Sequence, residues 1–119
     1  MTDKVVVLVT TANLKEARKI ATELVKNRLA ACVNVTAPVE SVYEWKGKVE
    51  RGRERLLMIK SSRELFPELQ DAIRQLHSYA TPEMVCLPII DGSRDYLDWL
   101  ADSIKPPRLV EAGDGDESA

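Results

Sequence analysis

One histidine, His77, and two cysteines, Cys32 and Cys86, are the imidazole and thiol groups of this chain. A local zinc or redox motif sets such groups a few residues apart, as in CxxC, HxH or HExxH, and none of these spacings occurs. Ser41, Ser61 and Ser62 supply hydroxyls without a GxSxG frame, so no nucleophile–base pair is recognisable and catalysis is not expected. A Cys86–His77 dyad would need a polar, accessible thiol. Cys86 instead lies in the apolar run Met84 to Ile90. No glycine-rich phosphate loop is present. What remains is binding chemistry: sulfur, one imidazole, carboxylates such as Glu83, and the cations Lys60 and Arg63.

Charge narrows the partners. The chain carries 17 basic and 19 acidic residues. Four of the acids, Glu111, Asp114, Asp116 and Glu117, lie in the tail, which leaves 15 acidic against 17 basic in residues 1–110. Such a balance is not that of a phosphate-neutralising surface, so no nucleic-acid partner is expected. The apolar run Val5 to Val9 is too short for a signal-peptide core, and no stretch approaches a membrane span. Two cysteines inside apolar runs read as small buried hydrophobes, and a reducing cytoplasm is the expected setting.

Positioning elements follow from periodicity. Val5 to Val9 predicts a central strand. Asn13, with Glu16 three residues on, predicts a capping-box start to a helix running to about Leu29. A second strand begins at Cys32 and continues past Pro38 to Trp45. Lys46-Gly47-Lys48 turns the chain, Gly47 being free to take positive φ. The third strand returns from about Val49 to Lys60. Ser62 caps a second helix that holds Pro67 in its first turn and ends near His77. A fourth strand covers Met84 to Ile90, Ser93 caps a third helix, and Pro106-Pro107 stops it. Residues 1–107 are expected to form one domain and 108–119 an acidic, disordered tail.

This order is β-α-β-β-α-β plus a C-terminal helix, an α+β ferredoxin-like sandwich with a long hairpin between its second and third strands. Right-handed crossovers give the strand order 4-1-3-2 with helices on one face. Strands apolar at consecutive positions want cover on both faces, and one chain supplies helices for one. Strands two and three also reach roughly 40 Å at ~3.3 Å per residue, about twice the first strand. Open edges of that kind call for a partner, and a closed symmetric ring of identical chains is the simplest. Trp45, Tyr96 and Trp99 are candidate anchors in such contacts, or else intrachain core.

The stretches Tyr43-Glu44-Trp45-Lys46-Gly47-Lys48, Leu76-His77-Ser78-Tyr79-Ala80-Thr81-Pro82-Glu83, Leu87-Pro88-Ile89 and Asp95-Tyr96-Leu97-Asp98-Trp99-Leu100 follow one another in that order, and Leu29-Ala30-Ala31-Cys32-Val33 precedes them. Together they resemble the divalent-cation tolerance protein family, CutA, over about residues 4–104. That resemblance implies a ferredoxin-like fold, a homotrimer, a cytoplasmic setting and a link to copper and other divalent ions. It also implies a likeness to trimeric signalling proteins of the PII type, and it brings no accepted reaction and no obligatory cofactor. Two positions depart from the family pattern: Val9 stands where some members carry a metal-associated cysteine, and Ser78 replaces the proline of His-Pro-Tyr.

Topology then sorts the candidate ligands. The first strand ends, the fourth begins and the second helix stops at one edge of the sheet. His77, Glu83 and Cys86 are therefore expected together as a mixed N, O and S site for copper or zinc, within a chain or shared between chains. Cys32 lies at the opposite end. A second expectation is a small-ligand cleft in which Lys60 and Arg63 meet an anionic group while Tyr43, Trp45 and Tyr79 stack.

Overall fold

A computed structural model describes residues 2–107 of the 119-residue chain. The expected acidic tail lies outside the described residues. Nine segments of regular structure follow one another: β1 (Lys4–Thr11), α1 (Leu14–Lys26), β2 (Cys32–Val35), β3 (Val39–Trp45), β4 (Lys48–Ser62), a 3₁₀ turn (Arg63–Leu65), α2 (Phe66–Leu76), β5 (Val85–Pro88) and α3 (Arg94–Ser103). None of the described helices is long and apolar enough to cross a membrane.

The sheet runs β2-β4-β1-β5, all antiparallel. This is the ferredoxin-like order expected from the crossover rule. Side chains alternate across it. Val5, Val7, Val9, Leu57 and Ile59 are buried toward α1 and α2, where Ile20, Leu24, Leu69 and Ile73 meet them. Leu100 and Ile104, on and just after α3, join the same core. The other set, Val6, Leu8, Leu56 and Met58, is only half-buried, and Val85 and Leu87 are exposed.

The second expected strand is two. Thr36 donates its N–H to Leu56 O at 3.0 Å, and Val39 lies opposite Glu54. Ala37 and Pro38 together therefore face the single Arg55, which makes a β-bulge. Pro38, having no N–H for the ladder, is tolerated at such a place. Beyond the bulge, β3 pairs only with the first half of β4. Lys46 and Gly47 both take positive φ, 52° and 80°. That is the type I′ turn whose twist matches a two-residue hairpin.

α1 starts as expected and stops three residues short of Leu29. Asn13 Oδ1 accepts the Glu16 N–H at 2.8 Å, and Glu16 Oε1 accepts the Ala12 N–H at 3.0 Å. At the far end Arg28 turns left-handed, with φ 58°, and the N–H groups of Leu29 and Ala30 return to Leu24 O. Glycine is the usual residue there. Arginine serves because its guanidinium donates to Asp102 O and Ile104 O at the end of α3, while Arg28 O accepts the Lys105 N–H. These contacts satisfy carbonyls that a helix end leaves unpaired. Ser62 accepts the Leu65 N–H and opens the 3₁₀ turn, with Pro67 following in the first turn of α2.

Candidate functional site

α2 ends where His77 turns to extended backbone, and its ring is driven under the end of β1. The ring is fully enclosed. Nε2 lies 2.7 Å from Thr10 O and Nδ1 accepts the Tyr79 N–H at 3.0 Å. Thr10 O can only accept, and the Tyr79 N–H can only donate. These partners assign the neutral tautomer with hydrogen on Nε2. Glu16 completes the clamp: its Oε2 accepts the Ser78 N–H at 2.6 Å and lies 3.9 Å from His77 Nδ1. Burial alone would raise the Glu16 carboxyl. The hydrogen bonds from Ala12 and Ser78 outweigh it and hold the group below its ordinary value.

This clamp presents the following loop to the hairpin, and a cleft of about 830 Å³ lies between them. Tyr43, Trp45, Tyr79, Glu54, Glu83 and Arg53 are among its lining residues. The I′ turn sets their register. Tyr43 and Trp45, two apart, share one pleat face with Gly52 and Glu54 on the returning strand. The Tyr43 phenol lies against Gly52, where an added Cβ would sit 3.6 Å from its oxygen. Tyr79 donates its hydroxyl to Glu54 Oε2 at 2.8 Å, and its ring packs 4.7 Å from the His77 ring. Burial first, then the hydrogen bond and charge of Glu54, push the Tyr79 phenol up to about 12.

The two expected sites fare differently as placements. Tyr43, Trp45 and Tyr79 come together in one cleft, and Glu83 joins them. Lys60 and Arg63 do not. Lys60 lies six residues up β4 from Glu54, roughly 20 Å at strand rise, with its ammonium on Asn34 Oδ1. Arg63 sits in the 3₁₀ turn, its N–H on Asp3 O at 2.8 Å.

His77, Cys86 and Glu83 are not gathered into one ligand set. Cys86 is opposite Val7, three residues along β1 from Thr10, and packs on the helix-side core. Burial pushes its thiol up, against the pull of Arg63. Both His77 nitrogens are engaged. Among the described residues no group of three or more His, Cys, Asp or Glu side chains is placed to hold a metal ion. The described residues of one chain therefore do not fit a resident metal, and the shared edge foreseen from topology is too coarse to gather the three into one ligand set.

Trp45 stands at the hairpin tip, 61% exposed, while Tyr96 and Trp99 on α3, also exposed, pack with ring centroids 5.6 Å apart and planes tilted by 36°. Glu54, Thr10 and the second oxygen of Glu16 belong to the site and escaped the sequence reading. Counting register back from Lys46-Gly47 would have placed Glu54 on the face of Tyr43. Nothing in the sequence marks the Thr10 carbonyl.

A family model described as CutA1 divalent ion tolerance protein matches residues 5–103. The divalent-cation tolerance protein CutA of Thermus thermophilus is 46% identical over 98 residues, covering 82% of this chain and 95% of its own. The chloroplastic protein CutA of Arabidopsis thaliana is 44% identical over 101 residues, 85% of this chain and 56% of its own. This chain thus spans nearly the whole bacterial relative and little more than half of the plant one. The solved structure of the Thermus thermophilus divalent cation tolerance protein superposes with a TM-score of 0.84 at 44% identity, covering 86% of this chain and 99% of that one. The chain belongs to the CutA1 divalent ion tolerance family.

Proposed function

We propose that this protein acts in the cytoplasm as a homotrimer in the response to divalent metal ions, copper or similar cations being what it binds or senses. One observation carries the assembly. Beyond the bulge the β3–β4 hairpin pairs with no third strand among the described residues. The sheet face continuous with it carries Val6, Leu8, Leu56 and Met58 without a helix over them. Copies related by a closed rotation remove both exposures at once. The number three comes from the resemblance. Both thiols are free, which suits a reducing compartment, although the Arabidopsis thaliana relative is named chloroplastic.

On this reading the metal is cargo or signal, and binding or signalling is the class of activity. No ligand set forms among the described residues of one chain, so on this proposal donors from more than one copy meet at the metal, with His77, Cys86 and Glu83 as the expected contributors and His77 giving up a present hydrogen bond to bind. Native mass measurement with and without copper tests both parts, on the wild type and His77→Ala. The expected wild-type species is three copies of the 13.3 kDa chain, about 40 kDa, gaining mass in copper. A single-copy particle at micromolar concentration would remove the ring. Copper uptake identical in the two proteins would remove His77 from the metal site.

The cleft favours a second reading, a PII-like trimer that binds a small ligand. Its support is the convergence of Tyr43, Trp45 and Tyr79 on one cavity.

A further inference from the structure

The small-ligand reading leaves the chemistry of the ligand open, and the cleft's lining narrows it. Aromatic faces carry negative charge density and attract cations held within about 6 Å of the ring centroid. Tyr43, Trp45 and Tyr79 supply three such rings. Two carboxylates, Glu54 and Glu83, line the same cavity against one guanidinium, Arg53. Arg53 lies on the opposite pleat face, where it pairs in register with Glu40. The two ammonium and guanidinium groups expected to meet an anion, Lys60 and Arg63, are elsewhere in the fold. The lining is acidic and aromatic, the reverse of a phosphate site.

Two further observations point the same way. The chain already lays a cation against one of these rings: Lys46 Nζ lies 5.8 Å from the Trp45 ring centroid. The Tyr79 phenol also resists ionisation, after burial, because of the charges of Glu54 and Glu16 around it. Burial penalises a charge of either sign, but the carboxylate part of that shift opposes an anionic ligand and favours a positive one.

We propose that the Tyr43–Trp45–Tyr79 cleft, with Glu54 and Glu83, is a binding site for an organic ammonium ion, a methylated or alkylated amine. The aromatic rings take the alkyl-ammonium surface and the carboxylates balance its charge. The lining residues all belong to one chain, and the proposal rests on the small-ligand reading.

Choline and its uncharged carbon isostere, 3,3-dimethylbutan-1-ol, have nearly the same shape and differ in charge. Calorimetric titration of the full-length protein with each, up to about 10 mM, compares them at weak-ligand strength. Choline is expected to bind saturably, about tenfold more tightly than the isostere. Glu54→Gln is expected to weaken choline about fivefold, and Trp45→Ala to abolish saturation. Native mass and unfolding midpoint of each variant show whether it stays assembled, and Glu54→Gln carries the test if Trp45→Ala does not. Equal binding of choline and isostere, or ATP binding that Glu54→Gln leaves intact, would overturn the cation while leaving a ligand site. No binding of any of the three would overturn both.

Discussion

Val7 and Leu8 are neighbours in β1 with nearly the same chemistry, yet one is wholly enclosed and the other half-open. The same contrast runs across β4, where Ile59 is enclosed and Met58 half-open. One side of the sheet is closed by α1, α2 and the Leu100 end of α3. The other side, continuous with the hairpin and the cleft, carries apolar side chains without a cover of its own. The closed side explains why the chain folds, and the open side is where the proposed assembly and ligand cleft lie. The two are separated by a single step along each strand.

The sharpest way to break that division is to truncate adjacent residues of β4. Ile59 sits between Val7 and Val33 in register, with no exposure. Ile59→Ala removes buried methyl groups and leaves a cavity, at about 2–5 kcal/mol. Met58 lies between Leu8 and Asn34 on the open face. Met58→Ala costs a lone chain about 1 kcal/mol of partial burial. If copies cover this face, Met58→Ala also shifts the assembly to smaller species on dilution, whereas Ile59→Ala lowers the unfolding midpoint without changing the stoichiometry. Denaturant unfolding with light scattering across a dilution series reads both. Similar losses from the two variants, with the stoichiometry unmoved, would erase the distinction.

Glu16 joins the two sides, since one carboxylate starts α1 and holds the loop that walls the cleft. Glu16→Gln keeps one acceptor for Ala12 but turns an amide toward the Ser78 N–H, donor against donor. The expected loss is about 1 kcal/mol, since that bond is exposed. Its pH dependence has a definite sign. The Glu16 carboxyl is held below its ordinary value of 4.5 in the fold. Its contribution is therefore present above that range and is lost as pH falls through the folded value. The gap between wild type and Glu16→Gln should be full near neutrality and narrow in acid. A gap independent of pH would show that the charged carboxylate is not what holds the loop.

How far these features were legible depended on their range along the chain. The Asn13–Glu16 box and the Lys46-Gly47 turn are complete within a few residues and could be read directly. Fold order followed, because crossover handedness restricts the topology. The end of α1 was misplaced because Leu29 continues the apolar spacing, and only the contact of Arg28 with α3 explains a left-handed arginine. The bulge at Ala37-Pro38 was passed over because apolar alternation resumes on either side of it. Within the site, the aromatic residues were recoverable from type alone. Lys60 and Arg63 were misassigned because a sequence reading gave them an end of the sheet without a position along the strand. Cys86 was grouped with His77 for the same reason. Glu54 is hidden in a charged run, where only pleat parity singles it out.

The smallest expected effect lies on the open side and is read better by titration than by stability. Tyr79→Phe deletes one hydroxyl and its bond to Glu54 at a site that is 37% exposed, so its cost is at the low end of about 0.5–1.5 kcal/mol. The Tyr79 phenol, raised from 10 to about 12, contributes stability that is whole below pH 10 and lost as pH rises through about 12. Wild type should therefore be slightly more stable than the variant at neutral pH and lose ground to it as pH rises through about 12. Tyr96 is also raised, by burial and then by Cys32, so a late-titrating tyrosine alone does not identify the residue. The difference between the tyrosinate titrations of wild type and Tyr79→Phe isolates it. A difference curve centred near 12 places Glu54 and the phenol in one acidic pocket. A curve centred near 10 would mean that the cleft wall is loose in solution, and the open side would then lack the fixed geometry on which its binding role depends.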